Sequence, residues 1–185
     1  MKIGYQGIEG SYSYQATIEF IKNMNFEKVE MIPLITSIEV VKKLKNKEID
    51  YGVMAIENST AGTVKETQIA IKNENLKLIK KQTILIEHCL YKKKECEISK
   101  LDKVVSHEQA LLQTQKTRRE KFNKLEQVEF SDTALAAKEL SENVFDDKTA
   151  VICSELAGKI YDLDLVYKKL NDLDDNKTTF GFFKN

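Results

Sequence analysis

The side chains of this sequence that can do chemistry are mostly neutral hydrogen-bond donors. Ser11, Asn58, Ser59, Thr63, Ser106, Gln109 and Thr133 supply hydroxyls and amides, and Thr178 and Thr179 stand side by side in "DDNKTTFGFF" (Asp174–Phe183). Such groups suit the capture of an anion. Fewer residues suit proton transfer. His107 lies at a strand-to-helix turn, where it reads equally well as a proton donor, a carboxylate partner or a structural residue. Glu57, just before Asn58, can do acid–base work if burial favours its protonated form, and otherwise holds its loop through backbone N–H groups. A charged carboxylate at that point would repel an anion.

Several other chemistries are excluded or unsupported. The only histidines are His88 and His107, which rules out a His-rich metal site, and no metal or cofactor is expected. Cys89 and Cys96 are separated by six residues and match no zinc spacing. Cys153 lies in the apolar run "TAVICS" and reads as a buried small hydrophobe. With no signal-peptide pattern, the three cysteines read as reduced thiols of a cytoplasmic protein. Lys+Arg and Asp+Glu are equal at 29 each, and the basic runs "KKLKNK" and "YKKKECE" are short, so no nucleic-acid partner is expected. No apolar run reaches the length of a membrane span, so no membrane partner is expected.

The elements that must position these residues alternate in type. "KIGYQ" reads as a strand, "GIEGSYS" as a Gly/Ser turn, and "YSYQATIEFIKNM" as a helix; there is no GK[ST] of a Walker loop. "VEMIPL" reads as a strand ended by Pro33, and "SIEVVKKLKNKE" as a helix capped by Ser37. "DYGVMAIE" reads as a buried strand running into a polar, Gly62-containing loop. "KLDKVVSH" reads as a strand before a single helix "EQALLQTQKTRREKF", and "LEQVEFS" as a strand before a helix capped by Ser131 or Asp132. Strand–turn–helix junctions therefore occur at Ser11, Asn58, Ser106 and Thr133, and in α/β sheets small anions bind at such strand ends.

Six motifs then follow in order: "GIEGSYS" (Gly7–Ser13), "DYGVMAIENSTAGTV" (Asp50–Val64), "EHCL" (Glu87–Leu90), "VSHEQALLQ" (Val105–Gln113), "DTALAAK" (Asp132–Lys138) and "NKTTF" (Asn176–Phe180). Together they resemble the catalytic domain of prephenate dehydratases over nearly the whole chain. The resemblance implies an α/β fold of the type II periplasmic-binding-protein kind, with mixed sheets flanked by helices and two lobes around a cleft. The expected lobes are residues 1–83 with 175–185, and residues 84–174. It also implies conversion of prephenate to phenylpyruvate, water and carbon dioxide in phenylalanine biosynthesis. The implied catalytic residues are Thr178, Glu57 and His107. Those implied to bind substrate are Ser11, Asn58, Ser59, Gly62, Thr63, Ser106, Gln109, Thr133, Thr179 and Phe180. The family implies a homodimer or higher oligomer.

The sequence departs from that family at Thr179, where its Thr-Arg-Phe motif has arginine. A permanent cation able to fork onto a carboxylate is replaced by one neutral donor. Alternatives therefore stand beside dehydration: a prephenate decarboxylase-like, non-aromatising enzyme, a non-catalytic clamp for a small dianion, or an interaction subunit. The family's C-terminal ACT domain is not expected in this chain. Ile8 replaces a proline common in the first glycine loop.

Overall fold

Alternating apolar strands and amphipathic helices build two separate mixed sheets in the computed structural model, which describes residues 1–185. In chain order the elements are β1 (Lys2–Gln6), α1 (Tyr12–Asn23), β2 (Glu30–Leu34), α2 (Ser37–Lys45), β3 (Tyr51–Asn58), β4 (Gly62–Thr63), α3 (Lys65–Ile71), β5 (Lys77–Leu85) and β6 (Cys89–Lys92). There follow β7 (Lys103–His107), α4 (Glu108–Gln113), α5 (Gln115–Lys121), β8 (Glu126–Phe130), α6 (Thr133–Ser141), β9 (Thr149–Cys153), α7 (Glu155–Ile160), β10 (Asp164–Tyr167) and β11 (Lys177–Lys184). The chain divides into two compact units, Met1–Ile86 with Asp175–Asn185, and Glu87–Asp174. No helix is long and apolar enough to cross a membrane.

The first unit's sheet has the order β2-β1-β3-β11-β5, with β4 paired to β3. β1 is parallel to β2 and β3, whereas β11 is antiparallel to β3 and β5. The start of β11 therefore lies beside the end of β3, with Thr178 opposite Asn58 and Thr179 opposite Glu57. Phe180 is opposite Ala55, so Ile56 is an extra residue in β3, a bulge of the kind found next to functional sites. Pro33 lies within β2, not after it, pairing with Tyr5; β2 is an edge strand, which tolerates the missing N–H.

Alternation along β11 sends Thr178, Phe180 and Phe182 to one face. Phe180 (2% exposed) and Phe182 pack in the core with Ile3, Tyr5, Phe20 and Val53. This corrects the expectation that Phe180 contacts substrate: burying such a ring is worth about 2–3 kcal/mol, and the ring is already used. Thr178 ends the same row, where core gives way to the sheet's edge. The cap of α2 is Thr36, not Ser37: Thr36 and Glu39 form a reciprocal capping box. Ser37 is buried, its hydroxyl 2.9 Å from that of Thr67.

The second unit's sheet has the order β10-β6-β9-β7-β8. β7 is parallel to β8 and β9, and β6 is antiparallel to β9, so the same construction recurs. Leu90, Val104, Leu111, Ala150, Ile152 and Leu170 form its core. The expected single helix after His107 is instead two helices, broken at Thr114 (φ −122°, ψ 7°). The Thr114 hydroxyl donates to the Ala110 carbonyl at 2.7 Å, a local bond that competes with helical continuation.

Candidate active site

In the first unit, the carboxyl ends of β1 and β3 and the start of β11 meet on adjacent strands of one sheet edge. Ser11 (6% exposed) follows β1 and caps α1, its Oγ accepting from the Tyr14 N–H at 3.1 Å. That cap uses the oxygen and leaves the hydroxyl proton without an acceptor in the chain. Gly7 (φ +92°) makes the approach possible, since a Cβ there would come within 3.1 Å of Ser11 Oγ.

Asn58 organises the neighbouring position. Its Oδ1 accepts from the backbone N–H groups of Thr60 (3.0 Å) and Ala61 (2.9 Å) and from the Thr60 hydroxyl (2.7 Å). Its Nδ2 donates to Thr178 Oγ1 at 2.9 Å, Asn176 Oδ1 at 3.0 Å and the Lys177 carbonyl at 3.1 Å. Thr178 (8% exposed) is thus held as an acceptor, and its own proton has no acceptor in the chain. Ser59 fastens the two strands: its N–H donates to the Lys177 carbonyl at 2.8 Å and its Oγ accepts from the Lys177 N–H at 2.9 Å.

The remaining positions of this unit are more open. Thr179 lies 2.8 Å, hydroxyl to hydroxyl, from Thr83 on β5. Gly62 (φ +74°) and Thr63 are exposed in β4, opposite Asn58 and Glu57. Glu57 is also exposed, so the burial on which its acid–base role depended is absent. Lys177 is exposed, forms no ion pair, and alternates onto the same face of β11 as Thr179.

The second unit offers its own polar edge at the adjacent ends of β7 and β8. His107, half-buried, caps α4: its Nδ1 accepts from the Gln109 N–H at 3.2 Å, which puts the neutral ring's proton on Nε2. The Gln109 amide is exposed. Asp132 caps α6 through the Leu135 N–H at 2.8 Å, and Thr133 beside it is half-buried with no hydrogen bond from its hydroxyl within the chain. Ser106 is a correction: it is fully buried, and its hydroxyl donates to the Ile152 carbonyl at 2.6 Å, bracing β7 against β9.

A family model described as prephenate dehydratase matches residues 3–185. The chain belongs to the prephenate dehydratase family. It is 34% identical over 183 residues to the Arabidopsis thaliana chloroplastic arogenate dehydratase/prephenate dehydratase 2, covering 97% of this chain and 45% of that protein. It is 32% identical to the prephenate dehydratase of Lactococcus lactis subsp. cremoris, covering 97% of this chain and 62% of that one. The chain thus spans about half the length of these relatives. The fold resembles that of the Arthrobacter aurescens prephenate dehydratase in complex with L-Phe, with a TM-score of 0.88 at 23% identity over all of this chain and 60% of that one.

Within this family member, two further supports were not apparent from residue type alone. Asn176 (2% exposed) receives the Asn58 amide, and it stood in view at the head of "NKTTF". His88, inside "EHCL", is 2% exposed, with Nε2 3.0 Å from Gln113 Oε1 and its backbone N–H donating to Asn171 Oδ1 at 2.7 Å. Burial, chiefly, pushes its pKa down to about 4; the Gln113 bond opposes this and His107 adds to it. His88 is therefore a neutral internal prop. The buried thiols are inert as well: burial raises the pKa of Cys153 and of Cys89, its partner opposite on β6.

Proposed function

We propose that this domain is a prephenate dehydratase, releasing water and carbon dioxide from prephenate to give phenylpyruvate. The observation that carries the reading is the Asn58–Thr178 bond, which leaves the Thr178 hydroxyl able to donate a hydrogen bond outward. In the reaction the ring carboxylate departs as carbon dioxide, and the electron pair of the broken C–C bond enters the ring. The C4–O bond breaks as the ring aromatises, and the leaving oxygen is completed to water by one proton drawn from solvent.

A threonine hydroxyl is too weak an acid to surrender its proton at pH 7. It serves instead by hydrogen-bonding the departing oxygen as charge builds there, an effect worth about 3 kcal/mol of barrier for a fixed donor. Ser11, two strands away along the same edge, supplies a second unspent hydroxyl proton, suited to a substrate carboxylate. Family membership and the names of the relatives support the same chemistry.

The test is incubation with prephenate and identification of the product. Phenylpyruvate with one equivalent each of water and carbon dioxide is expected. A non-aromatic keto acid would replace this reading with decarboxylation, and recovery of intact prephenate would remove the enzymatic reading.

A further inference from the structure

The sequence has two arginines, Arg118 and Arg119, all its other basic side chains apart from the two histidines being lysines. Both lie in α5, and both line one cavity of 190 Å³ with Gln115, Asn123 and Gln127. Arg118 is 6% exposed, yet it has no carboxylate partner. Its Nε donates to Thr114 Oγ1 at 3.1 Å, and its Nη2 to the Leu111 carbonyl at 2.9 Å and Gln127 Oε1 at 3.1 Å, all neutral acceptors. Nη1 has no acceptor in the chain, and no sealed side-chain nitrogen lacks a partner, so Nη1 is open to solvent, and Arg118 lines the cavity. The nearby carboxylate of Asp172 is occupied by the backbone N–H groups of Lys116 (2.9 Å) and Thr117 (2.8 Å).

A largely buried cation that bonds only neutral acceptors is costly; the Asp172 charge nearby offsets part of that cost, and a second guanidinium beside it adds to it. An anion in the cavity offsets the remainder. The volume is below the roughly 300 Å³ at which pockets for organic ligands begin, which suits a small ion. Paired guanidinium groups with amide donors match the several acceptor oxygens of a tetrahedral oxyanion. We propose that this cavity is a binding site for a small oxyanion of the phosphate type. It lies at the start of β8, the opposite end of that sheet from His107 and Thr133, and so is separate from the candidate catalytic residues of the same unit.

Inorganic phosphate is titrated into the protein by calorimetry and by NMR, at ionic strength held constant with chloride. Saturable one-to-one binding, with shifts at the Gln115, Asn123 and Gln127 side-chain amides, is expected. Arg119→Ala, an exposed change that leaves the core intact, should weaken it about tenfold. Absence of saturable binding overturns the proposal. So does binding that Arg119→Ala changes by less than about threefold, or shifts confined to the Ser11 and Thr178 edge, since either places the anion elsewhere.

Discussion

Asn58 donates to Thr178 across the β3–β11 ladder at 2.9 Å, and the direction of that bond is set by the main chain. The backbone N–H groups of Thr60 and Ala61 require an oxygen from the amide, so its amino group must face the threonine. The threonine oxygen is an acceptor toward the protein and a donor away from it. A hydroxyl left to rotate would populate that orientation only part of the time.

Removing the donor should strike the chemical step more than binding. Thr178→Val, close in shape, is expected to lower kcat for phenylpyruvate formation about 100-fold or more, with KM moving by about threefold or less. Thr178→Ser should keep most of the rate. Steady-state kinetics on both variants decides it, and a Val variant of undiminished kcat would end the role given to this hydroxyl.

Asn58→Asp tests the orientation separately. A carboxylate still accepts from Thr60 and Ala61, so the loop should hold, although loss of the bonds to Asn176 Oδ1 and the Lys177 carbonyl should lower the Tm. It cannot donate, however, and it draws the Thr178 proton back toward the protein. The single variant should lose activity on the scale of Thr178→Val, and the double variant little beyond that. Fully additive losses would mean that the two residues act independently.

The junctions at Ser11, Asn58, Ser106 and Thr133 were legible because a strand, a polar turn and a helix start are written in consecutive residues. The Thr36 cap was written there as Thr-x-x-Glu ending at Glu39, yet Ser37 was the residue expected to cap α2. What could not be read was non-local. Insertion of β11 between β3 and β5 sets the Asn58–Thr178 register across 120 residues of chain. It also decides that Phe180 faces core, since alternation within one strand does not say which face is buried. Ser106 was misjudged for a similar reason: its partner is a carbonyl on another strand. The break at Thr114 escaped because the helical spacing continues through it.

Thr179 faces Thr83 where the family motif has arginine, so the edge lacks a forked cation. Lys177, unpaired and on the same face, is the available substitute. Thr179→Arg is expected to raise kcat/KM for prephenate, and Lys177→Ala to raise KM more in the parent than in the Arg variant. An unchanged or lower rate in Thr179→Arg would show that the missing charge does not limit the proposed reaction.

His88 gives the fold a pH dependence with a definite sign. Its pKa falls from an ordinary 6.5 to about 4 in the folded chain, so between those values the unfolded chain binds a proton that the folded one refuses. Stability is then full above pH 6.5 and declines as pH falls toward 4, by on the order of 3 kcal/mol in all. Glu155, held near 2 by its hydrogen bonds to Lys159 and Lys168, and Asp146, held near 2 by Lys103 and Thr149, add losses only as pH drops below the ordinary carboxylate range. Urea midpoints from pH 7 to pH 4.5 should therefore fall in the parent and flatten in His88→Asn, which keeps a donor for Gln113. Equal slopes in the two proteins would show that the ring is not the group that resists the proton.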